Sequence, residues 1–401
     1  MSNTGSERDA VLLPTGLNSH SYITARSLSR HGIHTVLASD RADLPVYAGR
    51  YSNETIIIPA AEDDLIAYKD ALVGIAARPD IRTIIPAQPQ DTYLLSKYEE
   101  EFEEYVSVVT PSFESLKNVH DRLRLSEIAE EAGVPVPETR LLDEVDDWSP
   151  ELIVKSRYNL LAEEYADSYT PHDMGIVKTI EHLQPGEEPD VAVLCEKMEH
   201  TPIVQEYVHS SDEYVFGALY DHGEAKTTFQ HRQIRADSYT GGGGVYRKSV
   251  HIPELEEVGR TLLDALDWHG LACIEYMRDA ETGEFKLTEI NPRMWQSLPC
   301  AVRAGADFPH DFWLLATEQG DLIEPGYKVG VGSHYLYGEL KYLASLVQTD
   351  STLVEPPSFM SSISDVLLSI VAEPHFDTVY LDDPLPIVYG VREAIRKSRR
   401  P

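Results

Sequence analysis

The chain is short of cysteine, of positive charge and of long apolar runs, and each shortage removes a class of protein. Its three cysteines, Cys195, Cys273 and Cys300, stand far apart in apolar surroundings among 401 residues. An odd number at such spacing makes neither a disulfide framework nor a thiolate zinc site, and reads as reduced thiols in a cytoplasmic protein. Only 34 residues are Lys or Arg against 67 Asp or Glu, for a net charge of -33. Without a basic stripe nothing can replace counterions on a phosphate backbone, so nucleic acid is not an expected partner. The single basic run, Arg396–Arg400, reads as a solvated tail. No stretch reaches the ~18 apolar residues of a membrane span, and Met1–Asp9 lacks the apolar centre of a secretion signal, so no membrane association is expected. Neither G-x-G-x-x-G nor a Walker G-x-x-x-x-G-K-[ST] loop occurs, which removes two common phosphate signatures.

What remains is globular. With 42% hydrophobic and 25% charged residues, the length allows two or three domains with ample core. Acidic residues are spread along the chain instead of forming a tail, and arginine outnumbers lysine. That pattern resembles proteins of salt-loving archaea, in which concentrated salt screens the self-repulsion of such a charge.

The first third reads as a parallel α/β unit. Ala10–Pro14 is an apolar strand, Thr15–Ser19 a turn, Ser21–His31 a helix and Thr35–Ala38 a second strand. The alternation continues through Thr55–Ile58, a helix over Leu65–Ala77 and the strand Thr83–Ile85. Open α/β sheets bind ligands at strand carboxyl ends, here Thr15–Ser19 and Pro86–Asp91. Asn18, Ser19, Gln88 and Asp91 stand there, each readable as a turn or cap residue.

The most informative stretch is Leu271–Ser297, LACIEYMRDAETGEFKLTEINPRMWQS. Alternation over Ala272–Met277 and Phe285–Glu289, with turn residues between, predicts a β-hairpin. A turn centred near Thr282 sets Glu275 opposite Glu289, two carboxylates ~5 Å apart at Cβ that repel unless a cation lies between them. Asn291, two residues on, shares their face. Carboxylates with an amide oxygen suit a hard ion shared with phosphate, Mg²⁺ rather than Zn²⁺. The pairing alone is equally compatible with a solvated acidic strand face. The run E-I-N-P-R with its upstream glutamate resembles the metal-binding core of the ATP-grasp ligases, whose corresponding segment reads E-x-N-x-R.

The resemblance covers roughly Asp121–Asp311 and implies the rest of a site. H-D-R followed by G-V-P-V-P resembles the family's entry to the nucleotide region, with Arg122 in place of the usual lysine. The lysine ending the apolar run L-I-V-K, Lys155, resembles the one that contacts the α- and β-phosphates. The segment P-I-V-Q-E-Y-V resembles the adenine hinge, giving roles to Glu206, Tyr207 and Val208, and Glu213, seven positions on, is implied for the ribose hydroxyls. Arg157–Gly175 reads as a mobile cover over the phosphates. Gly241–Gly244 reads either as a flexible hairpin or as backbone that approaches a ligand closely. Arg293, aided by Arg232 or Arg247, is implied as the stabiliser of the transferred phosphoryl group, while His231 reads as a strand residue.

The expected organisation is a Rossmann-like βαβ domain over 1–112, an ATP-grasp fold in two subdomains over 113–204 and 205–322, and a C-terminal extension over 323–401 that serves packing or a homodimer surface. The resemblance implies a carboxylate–amine ligase using ATP and Mg²⁺ (or Mn²⁺), acting on a small-molecule carboxylate and an amine through an acyl phosphate. It also implies Asn18, Ser19, Gln88 and Asp91 of the first domain as candidates for binding the substrate to be activated. A nucleotide-binding sensor or scaffold and an ATP-dependent carboxylase stand as alternatives.

Overall fold

Near the N-terminus four short segments pair in parallel: β1 (Ala10–Pro14), β2 (His34–Ser39), β3 (Glu54–Ile57) and β4 (Ile81–Ile84), in the order β3-β2-β1-β4. Parallel neighbours need crossovers, and the helices Ser19–Arg30 and Leu65–Ala76 supply them. Every residue of β1 is buried, which is why it reads as a continuous apolar run rather than an alternating one. The structure is a computed structural model that describes residues 9–16, 19–177, 179–348 and 355–398. Asn18 therefore lies outside the described residues.

The middle of the chain builds a small antiparallel sheet from β5 (Thr139–Leu141), β6 (Leu152–Lys155), β7 (Ile180–Leu183) and β8 (Ile203–Glu206), in the order β5-β8-β6-β7. Leu152, Val154, Leu183 and Val204 pack beneath Leu194 and Met198 of the helix Val191–Met198. Two helices, Phe113–His120 and Arg122–Glu131, precede this sheet. Asp121 divides them: its backbone is extended, and its side chain accepts from the N–H groups of Leu123 and Arg124, capping the second helix. That cap starts the second helix at Arg122 and aims its side chain at the cleft.

The largest sheet has six strands, β9 (Ser210–Asp221), β10 (Glu224–Ser238), β11 (Gly241–Ser249), β12 (Gly270–Asp279), β13 (Phe285–Asn291) and β14 (Gly332–His334), in the order β13-β12-β9-β10-β11-β14. One face carries Tyr214, Phe216, Ala218, Ile274 and Tyr276 into a core shared with Leu255, Leu262 and Leu263 of the helix Pro253–Ala265. Contact there is close enough that a Cβ at Gly259 would stand 2.5 Å from the Phe216 ring. The opposite face is left for the cleft.

The segment expected to be a mobile cover is packed instead. Leu160, Leu161 and Ala162 are fully buried, and Leu160, Ala162 and Met174 join the core of the N-terminal sheet. Lys97 bridges to Glu163 and Glu164, and the Leu65 N–H bonds His172 at 2.9 Å. An apolar triplet with core to fill is not free to swing.

After β14 the chain forms the helices Leu336–Gln348, Phe359–Ala372 and Leu385–Ser398. It does not hang free. Glu339 and Asp377 pair with arginines of the large sheet, while Asp382 and Asp383 reach Arg26 and Tyr22 of the first helix at 2.9 and 3.0 Å.

Candidate active site

Strand parity decides which side chains face the cleft. Residues two apart share a face, and across the six-stranded sheet the lining set is Glu289 and Asn291 on β13, Cys273, Glu275 and Met277 on β12, Glu213 and Val215 on β9, His231 and Gln233 on β10, and Arg247 on β11. Opposite them stand Lys155 at the end of β6, Arg122 at its helix start, and Ile176, Val177 and Ile180. The cleft encloses about 700 Å³, within the range that takes a nucleotide-sized ligand.

Glu275 and Glu289 are direct partners in the β12–β13 ladder. Beyond them a bulge between Glu275 and Tyr276 shifts the register, so the hairpin is not symmetric about Thr282; Tyr276 pairs with Leu287. The Asn291 amide donates to Glu289 at 2.7 Å, and Arg293 in turn donates to the Asn291 oxygen at 3.0 Å. Arg122 donates to the other Glu289 oxygen at 3.1 Å, and to the carbonyls of Ser156 and Tyr158 at 2.8 and 3.2 Å. Glu289 is thus held by two donors, while no described residue donates a hydrogen bond to Glu275.

The electrostatics follow from that inequality. Removal from bulk water raises the Glu275 carboxyl well above the usual carboxylate range, and the facing Glu289 and nearby Glu213 push it further. For Glu289 the same desolvation acts upward, but Arg122, the Asn291 hydrogen bond and Lys155 outweigh it and hold the group ionised. Desolvation brings Lys155 down to about 7, with Arg122 acting the same way and Glu289 and Glu275 opposing. Glu275 and Lys155 open into the cleft rather than into packed core, so a ligand that fills it determines their final charge. Lys155 makes no hydrogen bond or ion pair with any described residue. Facing carboxylates and an amide oxygen, with one carboxylate short of positive partners, fit a hard divalent cation.

The sheet does not bring every anticipated residue to the cleft. Arg232 has the opposite parity from His231 and Gln233, stands outside the lining and pairs with Asp212. Arg247 lines the cleft but is 1% exposed and ion-paired to the fully buried Asp377 at 2.5 Å, so its charge is already matched. Glu206 lies beyond the cleft wall, where Lys286 binds both its oxygens at 3.0 Å. Tyr207 stacks on His182 and spends its N–H on the Glu151 carbonyl at 3.1 Å, and Val208 is buried. Glu213 does face the cleft; burial raises its carboxyl, and a hydrogen bond from Gln233 opposes that. Gln88 lines the cleft, with its side-chain nitrogen unpartnered. Asp91 serves the fold, accepting from Tyr68 at 2.7 Å and from the N–H groups of Ala87 and Gln88 at 2.9 and 2.7 Å, and Ser19 donates to the Gln296 carbonyl at 3.1 Å. Gly241 pairs with Ser238 to close the β10–β11 hairpin, and Gly242, Gly243 and Gly244 beyond it line the cleft, so the two readings of this run hold together. A Cβ at Gly242 would meet Asp237 and one at Gly244 would meet Gln233, each at 2.4 Å.

Among the cleft residues not anticipated from sequence are Gln233, Trp295, Gln296 and Ser297. Alternation from His231 points to Gln233, while the other three follow Arg293 directly. Ser297 hydrogen-bonds the His231 ring at 2.7 Å, and burial, then Arg247, lowers that imidazole to about 3, so it stays neutral.

No protein-family model matches the sequence, and no curated protein matches it. Solved structures share the fold. N5-carboxyaminoimidazole synthetase from Staphylococcus aureus, complexed with ADP, aligns at a TM-score of 0.58 and 16% identity over 81% of this chain and 80% of that one. Carboxyaminoimidazole ribonucleotide synthase from Aspergillus clavatus, complexed with ATP, aligns at 0.58 and 14% over 81% of each chain. A biotin carboxylase from Campylobacter jejuni aligns at 0.58 and 14% over 81% of this chain and 74% of that one. At such identities the likeness is one of fold.

Proposed function

Because the chain has the ATP-grasp fold, we propose that it is an ATP-dependent ligase joining a small-molecule carboxylate to an amine. The observation that carries this reading is the Glu275–Glu289 pair on the cleft face, with Asn291 beside it and the unpartnered Lys155 opposite. Glu275, Glu289 and Asn291 would hold Mg²⁺ or Mn²⁺, which when bound supplies charge neutralisation for the terminal phosphates of ATP. Lys155 and Arg122 would bind phosphate oxygens, and Glu213 would accept from the ribose hydroxyls. The substrate carboxylate attacks the γ-phosphorus, releasing ADP and leaving an acyl phosphate, and the amine then displaces phosphate. Among the described residues Arg293 hydrogen-bonds only neutral oxygens, of Met294 and Asn291, so its charge is available for the developing anion.

The test is ADP release with panels of acids and amines, with bicarbonate as a separate arm. Release should need both an acid and an amine and should fall about 100-fold or more in Glu289→Gln, whose melting curve stays cooperative. Nucleotide binding without turnover under every pairing would favour a sensor, and release driven by bicarbonate alone a carboxylase.

We further propose a cytoplasmic, salt-adapted homodimer. No helix among the described residues is long and apolar enough to cross a membrane. Leu368 and Val371, 66% and 78% exposed, share a helix with Met360, and Leu340 and Val347 extend the apolar surface on the neighbouring helix; such a surface marks contact with another protein. Light scattering with melting curves from about 0.1 M to 3 M KCl should give a dimer mass and a melting temperature that climbs with salt as self-repulsion is screened. A monomer whose melting ignores KCl overturns both statements.

A further inference from the structure

We propose a second cation site, for a borderline divalent ion such as Zn²⁺ or Co²⁺, made by Asp221, His222 and His269 at the far end of the β9–β10 hairpin. It is separate from the cleft and does not rest on the ligase reading. His222 and Gly223 both have positive φ, 45° and 82°, the two-residue turn that suits strand twist. The turn is fastened to the loop ahead of β12: the Gly223 N–H bonds the Trp268 carbonyl at 2.8 Å, and the His222 N–H reaches His269 Nδ1 at 3.2 Å. Those contacts gather one ligand atom from each residue to within 4.8 Å of the others.

The separations point to a shared ion. Asp221 Oδ1 lies 4.0 Å from His222 Nε2 and 3.9 Å from His269 Nδ1. These are too long for hydrogen bonds, yet only about 0.6–0.7 Å wider than the ~3.3 Å edge of a tetrahedron with metal bonds near 2.0 Å. The two imidazoles lie flush, with centroids 4.0 Å apart and planes 2° from parallel. The in-plane lone pairs of parallel rings do not converge, so to share the ion the 82%-exposed His222 ring has to turn out of the stack while His269 stays in place. Lys226 stands 3.5 Å from Asp221 Oδ2 and leaves Oδ1 toward the rings. The ion would replace the long His222 N–H contact on His269 Nδ1.

Two imidazoles and one carboxylate select a d-block ion over Mg²⁺, whereas the cleft offers only oxygens. The ion would tie the hairpin turn to the loop that enters β12, where the large sheet meets the N-terminal domain: Gly270, next to His269, sits so close that a Cβ would lie 2.7 Å from the Val109 carbonyl. The probe is Zn²⁺ alone, titrated calorimetrically, with Co²⁺ absorption reporting coordination geometry. Wild type and Glu289→Gln should each bind one equivalent here and melt several degrees higher with it. His222→Asn, at a side chain 82% exposed and with a residue that tolerates the positive φ of this turn, should weaken binding at least tenfold, as should His269→Ala. Absence of binding, affinity unchanged in both histidine variants, or loss of this equivalent in Glu289→Gln would overturn the proposal.

Discussion

Around the Glu275–Glu289 pair the charged groups are left short of partners, whereas the segment after β14 brings the large sheet charges that are matched one to one. Among the described residues Lys155 has no ion-pair partner, Arg293 bonds only neutral oxygens, and Glu275 has no hydrogen-bond donor. Some tens of residues away in sequence, Arg247 has Asp377 at 2.5 Å with Ser333 also on that carboxylate, and Arg235 holds Glu339 through both oxygens at 2.8 and 2.7 Å while His334 binds the same glutamate. Both sets face low-dielectric surroundings, so the cost of burying charge is met differently. In the C-terminal clamp the protein meets it internally; in the cleft it is left for a ligand to meet.

That contrast breaks most easily at Asp377. Replacing it by Ala strands the 1%-exposed Arg247 without its counter-charge, and the expected loss is about 3–5 kcal/mol of unfolding free energy by urea melts. Arg293→Gln should cost under about 1 kcal/mol in the same melts, because no charge loses a partner, while ADP release collapses. A hydrophobic double replacement, Arg247→Met with Asp377→Leu, should recover most of what Asp377→Ala loses. If Arg293→Gln proved the more destabilising change, the division between ligand-facing and fold-serving charge would be wrong.

The cleft was more legible than the clamp because its information is local. A lone lysine ending the apolar run L-I-V-K and two glutamates on alternating strands either side of a turn can be read within a few residues. The bulge after Glu275 cannot, since it depends on how β12 also pairs with β9. Charge alone points to Arg232, whereas parity from His231 points to Gln233. The 157–175 segment was read from its length and tyrosines; the apolar Leu160–Leu161–Ala162 was the signal that it packs. Asp377 and Glu339 were out of reach, because their arginines lie 130 and 104 residues away and nothing in the sequence ties a solitary acid to one arginine among many. The parallel N-terminal sheet was readable for the opposite reason, its strands and crossovers following one another in order.

Acid should sharpen the comparison from another side. Burial lowers His20, His120 and His231 to about 3 each, with Arg293, Arg122 and Arg247 respectively adding to the effect. Their folded values lie below the ordinary one, so the unfolded chain binds more protons, and stability present above pH ~6.5 is lost as pH falls toward 3. Each contributes a slope of up to about 1.4 kcal/mol per pH unit in that window. His231→Gln should flatten the acid limb of a urea-melt series between pH 6 and 4, and an unchanged slope would mean that this imidazole is not held neutral.

The smallest effect belongs to Arg232, and it is informative for that reason. Its side chain is 45% exposed, faces away from the cleft by parity, and pairs with Asp212; exposed pairs are worth about 0–1 kcal/mol, since solvent screens them and ordering two long side chains costs entropy. Arg232→Ala should therefore change the urea midpoint little and leave ADP release within about twofold of wild type. Arg232, Arg247 and Arg293 then form a series of one residue type in three settings: solvent-screened, internally matched and unmatched. Stability should respond chiefly to the counter-charge of the second and turnover chiefly to the third. A large loss of turnover in Arg232→Ala would show that β10 presents its other face to the substrate during the reaction, and the cleft drawn from strand parity would have to be redrawn.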